Sequence, residues 1–367
     1  MAMTRKQRTR LNSHFMIFNG KELLWTIGIT AILMLFVLPV IWKRFESPEI
    51  EKDFRYSYKQ RDNYYLYSVA AEKVCGKSEC VFLGDSVIWG MYSDNHNTLT
   101  ALLNKKLGKE YAGNLAVDGL HYIAMENLLK HYGSGIRNKK VYLYFNPLWM
   151  NSKLYDLSDT KDFGINHPRL LPQFDWNMPS YKATLAKRMS AVLEHYIPFY
   201  SWLNHLRVSF FGNQDFKTFA VEHPEVNPFQ RINFHADALE REHQNGKQNW
   251  MEARIPKQDW DWVVAKDSKQ VAAYMRIINL LKSRGNEVVA VIGTVNPYMQ
   301  TEKSLQGYRK LLNDVTAKLK AENIPMIVLP ELPSNEYADA SHPLASGYDR
   351  LAEFLRRTDF FFPDKRK

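Results

Sequence analysis

The sequence predicts an α/β fold, a three-layer sandwich on a parallel five-stranded sheet, with one transmembrane helix ahead of it. Three observations carry this. Short apolar runs alternate with stretches of helical periodicity. Those runs are apolar at consecutive positions, as strands covered on both faces are. Residues 23–42 then form a run of twenty residues without a charge. The chain has 367 residues, 45% hydrophobic and 24% charged, which excludes a disordered protein. A mean hydropathy of −0.40 excludes a polytopic membrane protein.

In chain order, residues 1–22 are a basic tail. They carry Arg5, Lys6, Arg8, Arg10 and Lys21 against Glu22 alone, and so hold +4 of the formal +10. A helix of ~20 residues at ~1.5 Å each spans a hydrocarbon core of ~30 Å. Residues 23–42 meet that length, with Trp25 and Trp42 near the two ends, where amphipathic rings favour the interface. A cleaved signal peptide has a shorter apolar region and a small-residue cleavage site, whereas Lys43-Arg44-Phe45 follows here. A core helix would show a polar face. The segment therefore reads as a signal anchor, with its basic tail cytoplasmic and the rest of the chain periplasmic or extracellular. Residues 43–68, polar and aromatic, read as a juxtamembrane stalk, and 69–367 as the extracytoplasmic domain.

Within that domain, 81–84 is a first apolar strand, and 98–107 a helix stopped by Gly108. A second strand is expected over 111–117, a helix over 122–132 stopped by Gly133, and a third strand over 141–145 broken by Asn146-Pro147. Residues 150–264 interrupt this rhythm with seven prolines and many aromatics, and read as an insertion with one helix over 181–195. Alternation resumes with a helix over 268–284, a strand over 287–292, a helix over 304–323, a strand over 325–329 and a final helix over 345–357. Cys75 and Cys80 are the only cysteines. In an oxidising compartment they form either a short disulfide or two thiols flanking a turn. The histidines other than His342 show no paired ligand spacing, so neither a metal nor a cofactor is expected. Basic residues beyond the tail are interspersed with acids, which disfavours nucleic acid as a partner.

Parallel sheets gather functional groups at the carboxyl ends of their strands. Gly84-Asp85-Ser86 follows the first strand there, Asn114 to Gly119 the second, Asn146-Pro147 the third, and Asp339-Ala340-Ser341-His342-Pro343 the last. A serine hydroxyl is a weak nucleophile unless a base takes its proton. His342 is the candidate base, and Asp339, three residues earlier, can hold its other ring nitrogen. The Ser86 N–H, the Gly119 N–H and the Asn146 side-chain amide are candidate donors to a developing oxyanion. Asp85 reads as a cap on its turn. Each element alone has a bland reading as a turn, a cap or a surface histidine; the combination favours chemistry.

This Ser, Gly, Asn and His set, in that order over about 80–150 and 266–357, resembles the SGNH or GDSL-type esterase and acyltransferase superfamily, whose fold is flavodoxin-like. The third block departs from that pattern: Tyr142-Leu143-Tyr144-Phe145-Asn146-Pro147 lacks the usual Gly and Asn-Asp. With its anchor, the layout resembles the components that O-acetylate exopolysaccharides or peptidoglycan, or that assist D-alanylation of teichoic acids. The resemblance implies an extracytoplasmic O-acyltransferase working through acyl-Ser86 on a cell-surface glycan or polymer, beside a multi-span membrane-bound O-acyltransferase. Two alternatives stay open: a membrane-tethered carbohydrate acetylesterase and a catalytically silent glycan-binding factor. Trp149, Trp176, Trp202, Trp250, Trp260 and Trp262 either form a sugar-stacking wall or pack the insertion.

Overall fold

The computed structural model describes residues 19–242 and 247–361. Most of the basic tail predicted over 1–22 lies outside the described residues. Helix α1, Gly20–Phe45, opens with a capping box between Asn19 and Glu22. It is long and apolar enough to cross a membrane, and fits a signal anchor or single span. A π-helical stretch at Leu33–Val37 precedes Pro39, whose missing N–H the ladder has to accommodate.

Helix α2, Tyr64–Lys77, is capped by Asn63, whose side chain accepts the Leu66 N–H. The segment expected as a stalk is instead built into the domain: Phe54, Tyr56, Tyr64, Tyr65, Leu66 and Tyr67 are all buried. The reason lies in its aromatics, which bury large area once each hydroxyl finds a partner. Tyr56 donates to the Asn63 carbonyl, Tyr65 to that of Pro39 and Tyr67 to that of Leu115.

The sheet comprises β1 (Cys80–Leu83), β2 (Ala112–Asn114), β3 (Lys140–Phe145), β4 (Glu287–Ile292) and β5 (Met326–Val328), separated by helices α3 (Leu99–Leu107), α4 (Tyr122–Tyr132), α8 (Lys269–Ser283) and α9 (Glu302–Ala321), and followed by α10 (Ala345–Arg356). All pairings are parallel, in the order β2-β1-β3-β4-β5. Side chains alternate between two cores. Val81, Leu83, Val141, Leu143 and Phe145 face α2, α4 and α8; Cys80, Phe82, Tyr142 and Tyr144 face α3 and α10. Burial on both faces explains why these strands read as continuous apolar runs. The edge strand β2 is shorter than expected, because Asn114 turns the chain: its side chain accepts the Ala116 N–H and donates to the Ile88 carbonyl.

This arrangement overturns the disulfide alternative for Cys75 and Cys80. Both thiols are buried and free. Cys75 belongs to the core on the α2 face and Cys80 to the core on the α3 face, so a bridge would have to cross the sheet. Burial pushes the Cys75 thiol up to about 11, leaving it unreactive.

The insertion contains α5 (Leu185–Tyr196), α6 (Pro198–Phe210) and α7 (Phe216–Glu222). Helix α5 starts later than its periodicity suggested, because Thr184 caps it and the Tyr181 hydroxyl is drawn aside to Gln173. Helix α6 packs on both α1 and α2.

Candidate active site

The chain winds outward from β1 in both directions, so a crevice opens between the carboxyl ends of β1 and β3. Ser86 stands at one side of it and Asn146 at the other. After β1, Gly84 lets the chain turn tightly. A Cβ there would lie 2.6 Å from Ile88 Cγ1 and 3.1 Å from Tyr144 Cβ. Asp85 caps the helical turn Ser86–Trp89 by accepting the Val87 N–H at 3.1 Å. That turn is buttressed from behind by residues of the former stalk. The buried Arg55 guanidinium donates to the carbonyls of Gly90 and Ser93, and lies 4.3 Å from the Trp89 ring centroid. Trp89 Nε1 donates to the Tyr56 carbonyl, and the Tyr348 hydroxyl of α10 to that of Val87.

His342 Nε2 lies 2.8 Å from Ser86 Oγ, and His342 Nδ1 lies 2.8 and 2.9 Å from the two Asp339 carboxylate oxygens. The Asp339 carboxylate also accepts the Ser341 and His342 N–H groups at 3.0 Å, which folds it onto the imidazole. The loop is fixed to the chain after β4 through Asn296, whose N–H donates to Ala340 and whose side chain donates to the Asp339 carbonyl. Burial opposes charge on both partners. The ion pair nevertheless wins: it holds the Asp339 carboxyl down at about 2 and the His342 imidazole above its usual value, with Asp85 and Asp118 adding to the latter. Tyr92 stands edge-on to the imidazole, ring centroids 5.5 Å apart.

Asp85 is a structural hub. Its second oxygen accepts Asn146 Nδ2 at 2.7 Å and Trp149 Nε1 at 2.8 Å, tying β1 to β3 across the crevice. Burial raises its carboxyl even so. Asn146 Oδ1 takes the Leu148 N–H, so its orientation is fixed. Its amide carries two N–H groups and Asp85 engages one, which leaves the other for an oxyanion. Gly119 has φ +68, and a Cβ there would lie 2.5 Å from Asn166 Nδ2. Glycine takes this left-handed backbone without strain and leaves Asn166 its place. The next insertion residue, His167, lies with Nε2 2.7 Å from the Asp118 carbonyl oxygen.

Sequence reasoning missed four contributors. The sequence shows Trp149 only as a ring, whereas its indole N–H is what holds Asp85. Asn166 and His167 come from the insertion and carry no local signal. Tyr92 follows the Ser86 turn in a left-handed conformation, φ +64, which no motif announced. The six tryptophans form no single wall: Trp202 belongs to one core and Trp250 to the other, while Trp262 Nε1 bonds Ser304. Among the described residues, no cluster of His, Cys, Asp or Glu could hold a metal ion.

No family model matches the chain, and no curated protein matches it. Among solved structures it is similar to an acetyl xylan esterase from the rumen bacterium Butyrivibrio proteoclasticus, at 14% identity and a TM-score of 0.26. The match covers 78% of this chain and 64% of the esterase.

Proposed function

We propose that this chain is a membrane-anchored serine O-acyltransferase that acylates, most simply acetylates, a hydroxyl of a cell-surface glycan or polymer. The observation that carries the reading is the Ser86–His342–Asp339 hydrogen-bonded series at the open carboxyl edge of the sheet. His342 Nε2 takes the Ser86 proton as Oγ attacks the donor's acyl carbonyl. The developing oxyanion is received by the Ser86 and Gly119 N–H groups and the free Asn146 N–H. The donor's leaving group departs with the proton from His342, and acyl-Ser86 remains. An acceptor hydroxyl then gives its proton to His342 and attacks the ester, and Ser86 Oγ leaves reprotonated. Asp339 keeps Nδ1 protonated throughout and stabilises the imidazolium.

Transfer rather than hydrolysis is favoured by helix α1. An enzyme acting on diffusing esters gains nothing from an apolar helix, whereas one that collects acyl groups at a membrane does. A multi-span membrane-bound O-acyltransferase is the partner this reading calls for, and the extracytoplasmic side its location. The site itself also serves water as acceptor, which would make the protein an acetylesterase. Incubating the full chain with a radiolabelled acetyl ester and polysaccharide acceptors separates the two. Label in polymer supports transfer, and label released only as acetate supports the esterase. A Ser86→Ala protein that still transfers label would end both.

A further inference from the structure

Helix α1 does not stand free of the domain. Leu35, Leu38, Pro39 and Trp42, one stripe of it, are at least partly buried, and α6 packs against Leu33–Val37 and against Leu38–Phe45. The joint is specific. The Tyr65 hydroxyl donates to the Pro39 carbonyl at 2.6 Å. Trp42 packs edge-on to Trp202, centroids 5.6 Å apart, and 4.4 Å from Phe234. Buried Glu46 accepts the Trp42 indole N–H and the Ala236 N–H, and lies 3.3 Å from His205 of α6.

That packing fixes a depth. The apolar run needs all of its residues to Trp42 to span ~30 Å. The stretch Leu33–Val37 lies six to ten residues before Lys43, or ~9–15 Å below the polar edge at ~1.5 Å per residue. A helix that touches it therefore lies below the level of Lys43. Helix α6 is built for such a place. Trp202, His205, Leu206 and Phe210 face inward, while Tyr200 and Leu203 remain 39% and 40% exposed on the outer side. Tyr196, at the end of α5, is 66% exposed. At the joint itself Phe45 and Phe234 are also exposed, with rings 5.8 Å apart. Water-facing apolar and aromatic groups continuous with a spanning helix match an interfacial surface.

The same joint sets an orientation. Helix α2 runs back along β1 after a two-residue link, so its amino end lies at the carboxyl edge of the sheet. Tyr65, at that end, binds α1. Its neighbour Tyr64 contacts His167, whose Nε2 reaches the Asp118 carbonyl beside Gly119.

Resting on the reading that α1 spans a membrane, we infer that the outer side of α5 and α6 is seated in lipid at the boundary of headgroups and acyl chains, and that the sheet edge bearing Ser86 is turned toward the bilayer. The occupant of this face is lipid, which lets a membrane-bound acyl donor reach Ser86 without leaving the surface.

The full chain, reconstituted in phosphatidylcholine vesicles, tests this with nitroxide labels at Leu203→Cys, at Ile32→Cys in mid-span and at Lys303→Cys on α9. Collisions with oxygen several-fold above those with a nickel chelate are expected at 203 as at 32, with the reverse at 303. Label 32 in lipid and label 203 in water would overturn the seating while leaving the anchor intact. Label 32 in water would overturn the anchor reading and the inference with it. Label 203 shielded from both reagents would mean a protein partner and would also overturn the lipid assignment. Energy transfer to a headgroup-bound acceptor should be stronger from Tyr298→Cys, after β4, than from Glu287→Cys at its start. The opposite order would overturn the orientation.

Discussion

Two loops at the same sheet edge carry an aspartate followed three residues later by a histidine, and the two pairs behave in opposite ways. In the loop after β5, Asp339 accepts two backbone N–H groups that fold its carboxylate onto His342. In the loop after β2, Gly119 turns the chain at φ +68, and Asp118 offers His167 its backbone carbonyl. His121 instead caps α4, its Nδ1 3.4 Å from the Ala124 nitrogen and 3.3 Å from Gln270 Nε2. His121 is fully buried and His342 partly so. His342 faces a carboxylate and gains proton affinity. His121 has only neutral hydrogen-bonding partners, so burial lowers it to about 3. Spacing alone does not make a catalytic pair; what the aspartate's second oxygen and the local backbone do decides it.

Loss of the proposed nucleophile or its proposed base should have the greatest consequence. Ser86→Ala or His342→Ala should lower acyl turnover by about 10⁴-fold or more, read with a chromogenic acetate. His121→Asn should retain most activity, since asparagine is itself a good helix cap and no reacting group is lost; thermal melts check that the fold is kept.

Exchanging the two aspartates tests the same contrast more finely. Asp339→Asn should cost on the order of 10⁴ in kcat by unsettling the tautomer, while Asp118→Asn should cost less than tenfold. Equal effects would mean that the two loops are not functionally distinct. Next in size, Asn146→Ala should lower kcat by about 10²-fold through the lost oxyanion donor. It should also lower the melting temperature, because a buried Asp85 oxygen loses a partner.

The pH dependence separates the histidines by sign. His342 must be neutral to act as base, and its pKa is raised, so kcat/KM should climb through an inflection above about 6.5. Asp339→Asn should move that inflection down. For stability, the raised His342 favours the folded state below about 6.5 and loses that contribution as pH rises through its folded value. The depressed His121 does the reverse: its contribution is full above about 6.5 and is lost as pH falls toward about 3. Melting temperatures across pH 3–7 should therefore fall less steeply on the acid side in His121→Asn. The smallest expectation concerns the thiols: reductant should leave the melting temperature unchanged, because Cys75 and Cys80 are not bonded.

Much of the fold was legible because it lies in local pattern. Strands buried on both faces read as apolar runs, and glycines mark where helices stop. Ser86, Asp339 and His342 were legible as strand-end residues, once the parallel sheet implied that those ends share one edge. What escaped depends on distant pairing. Residues 43–68 looked like a stalk because tyrosines count as half-polar until their hydroxyls find carbonyls elsewhere in the chain. A bridge between Cys75 and Cys80 looked reasonable by separation, but a helix and a strand on either side of that gap present opposite faces of a sheet. Asn166 and His167 reach Gly119 and Asp118 from an insertion whose path no periodicity describes. Trp149 was visible as a ring, but its partner Asp85 sits 64 positions earlier.

We propose that Ser86 is a nucleophile activated through His342 by Asp339. The most direct test is peptide mass spectrometry of the full chain, quenched with acid shortly after mixing with p-nitrophenyl acetate. An acetyl adduct is expected on the peptide containing Ser86, strongly reduced in Asp339→Asn and absent in His342→Ala. An adduct that forms equally in all three proteins, or that sits on another residue, would contradict it.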